Sequence, residues 1–352
     1  MIKKVIVTGV TGQDGSHMVD YLLKNTDHII YGSVRRLSVK NHENIKHLEN
    51  EKRFKLIDLD LTDTHSINSC IIDIKPDYFL NFAAQSFVAG SWKFPIQTWE
   101  TDSNGVLHIL EAIRRFVPSC RFYNAGSSEE FGDVEYSPQD ENHPLRPQSP
   151  YGAAKCAARH LVRVYRESYN LFAVQGWLFN HEGTRRGIEF VTRKISNGIA
   201  NLKRALEIDE VLKFSHPKPE LPLLKLGNLD AQRDWTDAED FMEGVWLMMN
   251  QKEPKEYVLA SGEMHTVRSF VQSALDYIEA EYEIEGEKDS EKFKLKDGRV
   301  IVEIDPKFYR PAEVEELLGD PTKAEKELGW KRKTEYKDLV VKMVKNDYKL
   351  LG

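Results

Sequence analysis

Short apolar runs alternate with amphipathic stretches through the first half of the chain. Val5 to Val7 is β-branched and continuous, which predicts a buried strand, and Thr8-Gly9 breaks it ahead of an apolar-periodic stretch through Met18, Val19, Leu22 and Leu23. A strand, a glycine turn and a helix are expected in that order. His28 to Val34, Phe54 to Leu59, Tyr78 to Phe82 and Phe122 to Ala125 predict further strands. The alternation holds to about Gln175 and becomes irregular from His181. It predicts an α/β fold with a doubly wound parallel sheet and a smaller, mixed α/β part. The helix Asp240 to Asn250 and the strand Tyr257 to Ala260 are expected to return to the first lobe. Two polar stretches, Glu207 to Glu220 and Ala280 to Lys296, read as surface loops.

Composition narrows the class. The 352 residues are enough for two lobes, and 41% hydrophobic with 30% charged residues describes a soluble globular protein. A formal net charge of -7 argues against broad nucleic-acid affinity but leaves room for an anionic ligand held by local arginines. The three cysteines, Cys70, Cys120 and Cys156, are scattered and odd in number, which predicts neither a disulfide framework nor a metal cluster. With no apolar run of membrane-spanning length and a first strand that begins at once, no membrane segment and no signal peptide are expected, and a reducing cytoplasm fits best.

Three strings carry candidate chemistry. In Gly9-Val-Thr-Gly-Gln-Asp-Gly15 the glycines permit a tight turn, close approach to a pyrophosphate and close helix packing, and a helix N-terminus then favours phosphate charge. The second expected strand ends in Arg35-Arg36, where an NAD enzyme usually has an acidic residue. Two guanidiniums suit the 2′-phosphate of NADP, the alternative being a solvated basic pair. The third and fourth expected strands end in Asp60-Leu61 and Ala83-Ala84-Gln85-Ser86, on the edge where such a sheet binds ligands. The strand Phe122 to Ala125 delivers Ser127, Ser128 and Glu129 to the same edge, though Glu129 and Glu130 leave open which carboxylate points inward. Tyr151 and Lys155 stand one helical turn apart on a helix starting after Pro147, Ser149 and Pro150. A lysine near a tyrosine hydroxyl is expected to lower its pKa and let it take a proton from a sugar hydroxyl as hydride leaves.

With these residues, the chain resembles the extended short-chain dehydrogenase/reductases and, among them, the GDP-mannose 4,6-dehydratase family. Further strings carry the resemblance over nearly the whole chain: Asp60-Leu-Thr-Asp63, Ala84-Gln-Ser86, Ser149-Pro-Tyr-Gly-Ala-Ala-Lys155, Leu178-Phe-Asn-His-Glu182, Arg185-Arg-Gly187, Phe190-Val-Thr-Arg-Lys-Ile195, Arg233-Asp-Trp235 and Tyr309-Arg-Pro311 followed by Glu313. The resemblance implies an NADP-binding Rossmann domain over 1–178 and 226–262 and a nucleotide-sugar-binding domain over 179–225 and 263–352. It implies a catalytic group of Ser127, Glu129, Tyr151 and Lys155. Implied cofactor contacts are Gly9, Thr11, Gly12, Gln13, Asp14, Gly15, Arg35, Arg36, Asp60, Leu61, Ala84, Gln85, Ser86, Tyr151, Lys155, His181 and Arg186. Around a GDP-sugar it implies Ser86, Asn180, Val191, Lys194, Arg233, Arg310 and Glu313, with no metal. A homodimer or homotetramer, without nucleic-acid or membrane partners, is the implied assembly.

The chain departs from the family pattern at Asn124-Ala-Gly-Ser-Ser-Glu129, with Ser127 where the family usually has Thr. It departs again at Glu130-Phe-Gly132, at His181-Glu-Gly-Thr184, at Gln97 where a tyrosine stands near the cofactor, and in the length of the 207–220 stretch. The implied activity is conversion of GDP-D-mannose to GDP-4-keto-6-deoxy-D-mannose by internal redox: Tyr151 takes the C4 hydroxyl proton, Glu129 takes the C5 proton, and water leaves from C6. A related GDP-sugar, such as a GDP-manno-heptose, is an alternative substrate. A GDP-4-keto-sugar reductase or epimerase would not need Glu129, and a non-enzymatic NADP sensor of this fold typically lacks the Tyr/Lys pair.

Overall fold

The computed structural model describes residues 1–211, 220–309 and 316–352. Seven parallel strands form its large sheet: Lys4–Thr8 (β1), Ile29–Val34 (β2), Phe54–Asp58 (β3), Tyr78–Asn81 (β4), Arg121–Ala125 (β5), Ala173–Leu178 (β6) and, after intervening short strands, Val258–Leu259 (β11), in the order β11-β6-β5-β4-β1-β2-β3. Val5, Ile6 and Val7 are all fully buried because helices cover both faces, which is why these strands read as continuous rather than alternating apolar runs. Gln13–Asn25 (α1), Thr64–Ile74 (α2), Val88–Lys93 (α3), Pro95–Trp99 (α4), Gly105–Phe116 (α5) and Pro150–Tyr169 (α6) connect them.

The chain order reverses between β1 and β4, and the diverging connections open a crevice at the strand ends. A row of polar side chains crosses the sheet just beneath it. The Thr8 hydroxyl donates to Asn81 Oδ1 at 2.6 Å, Asn81 Nδ2 to Asn124 Oδ1 at 2.7 Å, Asn124 Nδ2 to Gln175 Oε1 at 2.7 Å, and Gln175 Nε2 to Glu130 Oε1 at 3.0 Å. The first four residues are direct cross-strand partners on β1, β4, β5 and β6. All are buried, so each amide depends on its neighbour for the hydrogen bonds that water would otherwise supply.

Beyond β6 the chain forms Asn180–Glu182 (β7), Val191–Val211 (α7), Leu224–Leu226 (β8), Gln232–Arg233 (β9) and Trp235–Asp237 (β10). Ala238–Met249 (α8), capped by Asp237, and β11 return the chain to the large sheet. His265–Thr266 (β12), Val267–Tyr277 (α9), Tyr282–Glu285 (β13), Lys292–Leu295 (β14), Val300–Ile304 (β15), Thr322–Leu328 (α10) and Tyr336–Leu350 (α11) follow. A second sheet of order β13-β14-β15-β8 packs with α7, α9 and α11 around its own apolar cluster, including Ile195, Phe270, Phe293 and Met343.

Both expected loops need correction. Ala280 to Lys296 contains the antiparallel hairpin β13–β14, which buries Phe293 beneath Tyr282 while Glu283, Glu285 and Lys292 face outward. Of Glu207 to Glu220, the residues through Val211 continue α7, because Leu202 and Leu206 keep the helical apolar spacing; 212–219 lie outside the described residues.

Candidate active site

A cleft of about 1450 Å³ runs along the strand ends from the glycine turn to Lys307–Tyr309. Gly9 takes φ +69°, and a Cβ there would meet the Ala83 backbone nitrogen at 2.9 Å; one on Gly15 would meet the Gly9 carbonyl oxygen at 2.4 Å. The turn therefore closes only with glycine at these positions. It delivers the N-terminus of α1 to the cleft with no side chain capping it, leaving the first amides to meet an anion.

Thr11, Gly12, Gln13 and Asp14 line this end. His181, from β7, donates through Nδ1 to the Phe179 carbonyl at 2.7 Å and meets Asp14 Oδ2 through Nε2 at 3.0 Å. Burial alone would raise the Asp14 carboxyl, but the His181 charge and hydrogen bond, with help from Gln13 and Arg186, hold it well below the usual range. The same pairing raises His181 against the opposing effect of burial. Arg186 pairs with Glu182 at 3.0 Å and stacks on Phe190 at 3.6 Å. Arg35, Asp60, Leu61, Ala84, Gln85 and Ser86 join the wall, whereas Arg36 is exposed and outside it.

The acid/base group lies midway. The Ser149 hydroxyl accepts the Gly152 N–H at 3.0 Å and starts α6, so Tyr151 and Lys155 emerge on its first turns facing the cleft. Lys155 Nζ donates to the Ala125 carbonyl at 2.9 Å and stands 5.7 Å from the Tyr151 ring centroid. The expected lowering of the Tyr151 pKa is not what this arrangement gives. Burial, then the charges of Asp102, Glu129 and Glu130, push its hydroxyl well above the ordinary value, and the Ser127 hydroxyl only partly opposes them.

The adjacent glutamates separate cleanly. Ser127 caps the short turn Ser128–Glu130, its hydroxyl accepting the Glu129 N–H at 3.2 Å while Glu130 Oε1 accepts the Ser127 N–H at 2.8 Å. Glu130 is fully buried against Arg159 and Gln175, and Arg159 lies 3.4 Å from the Trp177 ring. Glu129 is the one that lines the cleft, beside Ser127 and Tyr151.

Sequence reasoning missed Asp102. It lies in a π-helical turn, Glu100–Asn104, between α4 and α5, and is 1% exposed. One oxygen accepts the Gln85 N–H at 2.8 Å, and the other is buried without a hydrogen-bond partner. Burial pushes its carboxyl up to about 6 against the pull of Lys155. The available signal was a single carboxylate on the apolar face leading into Val106, Ile109 and Leu110.

At the far end, Asn180, Val191, Lys194 and Arg233 line the cleft with Phe308 and Tyr309. The Lys194 ammonium sits over the Phe308 ring at 3.4 Å and donates to the Lys225 carbonyl. Arg233, 6% exposed, donates to the Gln232 carbonyl at 2.6 Å. Arg310 and Glu313 lie outside the described residues. Gln97 also stands in the wall. No three His, Cys, Asp or Glu side chains among the described residues are grouped to hold a metal, and no described helix is long and apolar enough to cross a membrane.

A family model described as "GDP-mannose 4,6 dehydratase" matches residues 6–343. A human GDP-mannose 4,6 dehydratase is 41% identical over 355 residues, covering 98% of this chain and 91% of the human one. A GDP-mannose 4,6-dehydratase from Vibrio cholerae is 39% identical over 368 residues, covering 99% and 95%. Among solved structures, a Thermotoga maritima UDP-glucose 4-epimerase with UDP-glucose superposes with a TM-score of 0.80 at 21% identity, covering 99% of this chain and 100% of the other. At that identity it supports the fold alone.

Proposed function

Because the chain belongs to the GDP-mannose 4,6-dehydratase family, we propose that it converts GDP-D-mannose to GDP-4-keto-6-deoxy-D-mannose with NADP as a resident redox group. The residues present fit that group. The glycine turn leaves the room a pyrophosphate needs, the uncapped amides of α1 face it, and Arg35 suits a 2′-phosphate. When bound, the cofactor accepts a hydride at the C4 stage and supplies one at the C6 stage, leaving no net redox change.

The chain's own groups handle the protons. Tyr151 takes the proton of the sugar C4 hydroxyl; its burial opposes the phenolate, and Lys155, 5.7 Å from its ring on the same helix face, is assigned the positive charge that would favour it. Oxidation at C4 acidifies the C5 proton, and Glu129 accepts it. The C6 hydroxyl leaves as water with a proton delivered from the Ser127, Glu129 and Tyr151 group, and C5 is reprotonated after reduction at C6. Arg233 and Lys194 are assigned to the diphosphate and nucleotide.

The observation that carries this reading over a simple reductase is the carboxylate of Glu129 in the cleft wall beside Tyr151, with Glu130 committed elsewhere. The test is a reaction in heavy water with GDP-mannose and no added reductant. A 6-deoxy-4-keto product carrying deuterium at C5 supports it; turnover that consumes stoichiometric NADPH overturns it. We further assign a homodimer or homotetramer, supported by the exposed Phe94 and Ile96, and a cytoplasmic setting, supported by the unpaired buried thiols of Cys120 and Cys156.

A further inference from the structure

We propose that Asp347, acting through Arg193, is a positioning residue for the loop Gly183–Phe190 that borders the cofactor end of the cleft, an inference that rests on the NADP reading of that cleft. Arg193 lies in the first turn of α7 and Asp347 in the last turns of α11, and Arg193 Nη2 meets Asp347 Oδ1 at 2.8 Å. Asp347 is fully buried at its side chain, and its other oxygen accepts the Ser196 hydroxyl. Arg193 Nη1 then donates to two carbonyls of the loop, Thr184 at 2.8 Å and Arg186 at 3.0 Å. Asn346, next to Asp347, adds a longer bond to Thr184 at 3.4 Å.

The loop needs such support. Its own backbone bonds are two local turns, Arg186 N–H to Gly183 and Phe190 N–H to Gly187, each 3.2 Å. Yet it presents Arg185, Arg186 and Phe190 to the cleft. Fixing the Arg186 carbonyl sets the point from which its guanidinium reaches over Phe190 toward Glu182. Stability alone is a poor reason for the pair, because an apolar seam between two packed helices often does as well as a buried ion pair. What an apolar seam cannot do is donate to two carbonyls in register. Asp347 itself is not in the cleft wall, so its removal reads positioning and not ligand contact.

The experiment compares Asp347→Asn with Lys342→Met in the full chain. Lys342 makes α11's other ion pairs, with Asp237 at 2.7 Å and Glu239 at 2.6 Å, and neither reaches the loop carbonyls. NADP+ affinity by calorimetry, hydrogen exchange across residues 184–190 without ligand, and the urea midpoint are measured for each. Asp347→Asn is expected to weaken NADP+ about tenfold and speed loop exchange, while Lys342→Met changes only the midpoint. Equal loss of stability in both variants, with NADP+ affinity and loop exchange unchanged, overturns the proposal. Should Asp347→Asn not fold, Arg193→Lys, which keeps the charge but cannot bridge Asp347 and both carbonyls, is read by loop exchange without ligand, since Arg193 itself lines the cleft. If the unmodified chain binds no NADP+, the cofactor reading fails on its own, and loop exchange in the ligand-free variant still decides this one.

Discussion

The carboxylate of Glu130 accepts the backbone N–H of Ser127 at 2.8 Å, so the turn that carries Ser127 and Glu129 to the cleft is closed by a side chain that never reaches it. Arg159 and Gln175 hold that closing group from behind. The two glutamates therefore divide into one that lines the cleft and one that holds the turn, and substitution should separate them.

Glu129→Gln should fold normally, lower turnover by roughly 10²–10⁴-fold, and accumulate reduced cofactor with a 4-keto sugar, since oxidation at C4 does not use it. Glu130→Gln should instead lose about 1.5–3 kcal/mol of stability, because it removes one of the two carboxylates that the buried Arg159 pairs with and leaves Glu256 as the other. Urea unfolding and single-turnover absorbance of the reduced cofactor check both; full activity in Glu129→Gln would remove it from the mechanism.

Asp102 should make stability fall as pH rises. Its folded carboxyl is lifted by burial from 3.8 to about 6, so between those values the folded chain binds more protons than the unfolded one, and stability is lost across that window. Asp102→Asn keeps an acceptor for the Gln85 N–H and should be more stable than the parent by on the order of 2 kcal/mol at pH 7.5, with the advantage gone near pH 4. Unfolding curves at the two pH values decide it, and an equal advantage at both would mean that ionisation is not the cause.

Activity should follow the phenolate of Tyr151. Since burial and three carboxylates push its hydroxyl upward, kcat/KM in the parent should rise with pH, and Asp102→Asn should move that rise to lower pH by removing one of the charges. Tyr151→Phe should abolish turnover at every pH. A pH profile of Asp102→Asn that coincides with the parent's would count against this coupling.

The basic pair after β2 should act unequally. Arg35 lines the cleft and Arg36 does not, so Arg35→Ala should reduce the preference for NADP+ over NAD+ by about 10–100-fold, the worth of a charged hydrogen bond, while Arg36→Ala changes it little. Calorimetric titration of both cofactors into each variant measures it.

Arg233→Ala should raise the KM for GDP-mannose at least tenfold and leave NADP+ affinity within about twofold, because it lines the end of the cleft away from the glycine turn. Equal losses for both ligands would point to a folding defect around the neighbouring Asp234, whose buried carboxyl accepts the N–H groups of Ser261 and Gly262.

The large sheet is legible in the sequence because its strands are buried on both faces, so each appears as a short apolar run such as Val5 to Val7 between helical patterns. The glycine turn and the Tyr151/Lys155 pair are legible for a similar reason: local backbone geometry fixes their spacing. The choice between Glu129 and Glu130 is not, because it depends on Arg159, 29 residues away, and on Gln175 from another strand. Asp102 shares helical spacing with Val106 and Ile109, but its role is hidden because the group it accepts from is the Gln85 N–H, 17 residues away. The hairpin Tyr282–Leu295 is hidden because Phe293 is its one fully buried apolar residue amid mostly exposed charge.

The row from Thr8 to Gln175 solves a problem of strand pairing that apolar residues cannot. Strands that are apolar on both faces tolerate a slip of one residue, since valines and leucines simply exchange sides. Four aligned polar groups do not. Moving any one strand by a single position would turn its side chain to the opposite face and strand the donors and acceptors of its neighbours in an apolar layer. The row thus acts as a parity check on β1, β4, β5 and β6 as they assemble, admitting the alignment in which the glycine turn, Ser127 and the cleft edge come level with one another.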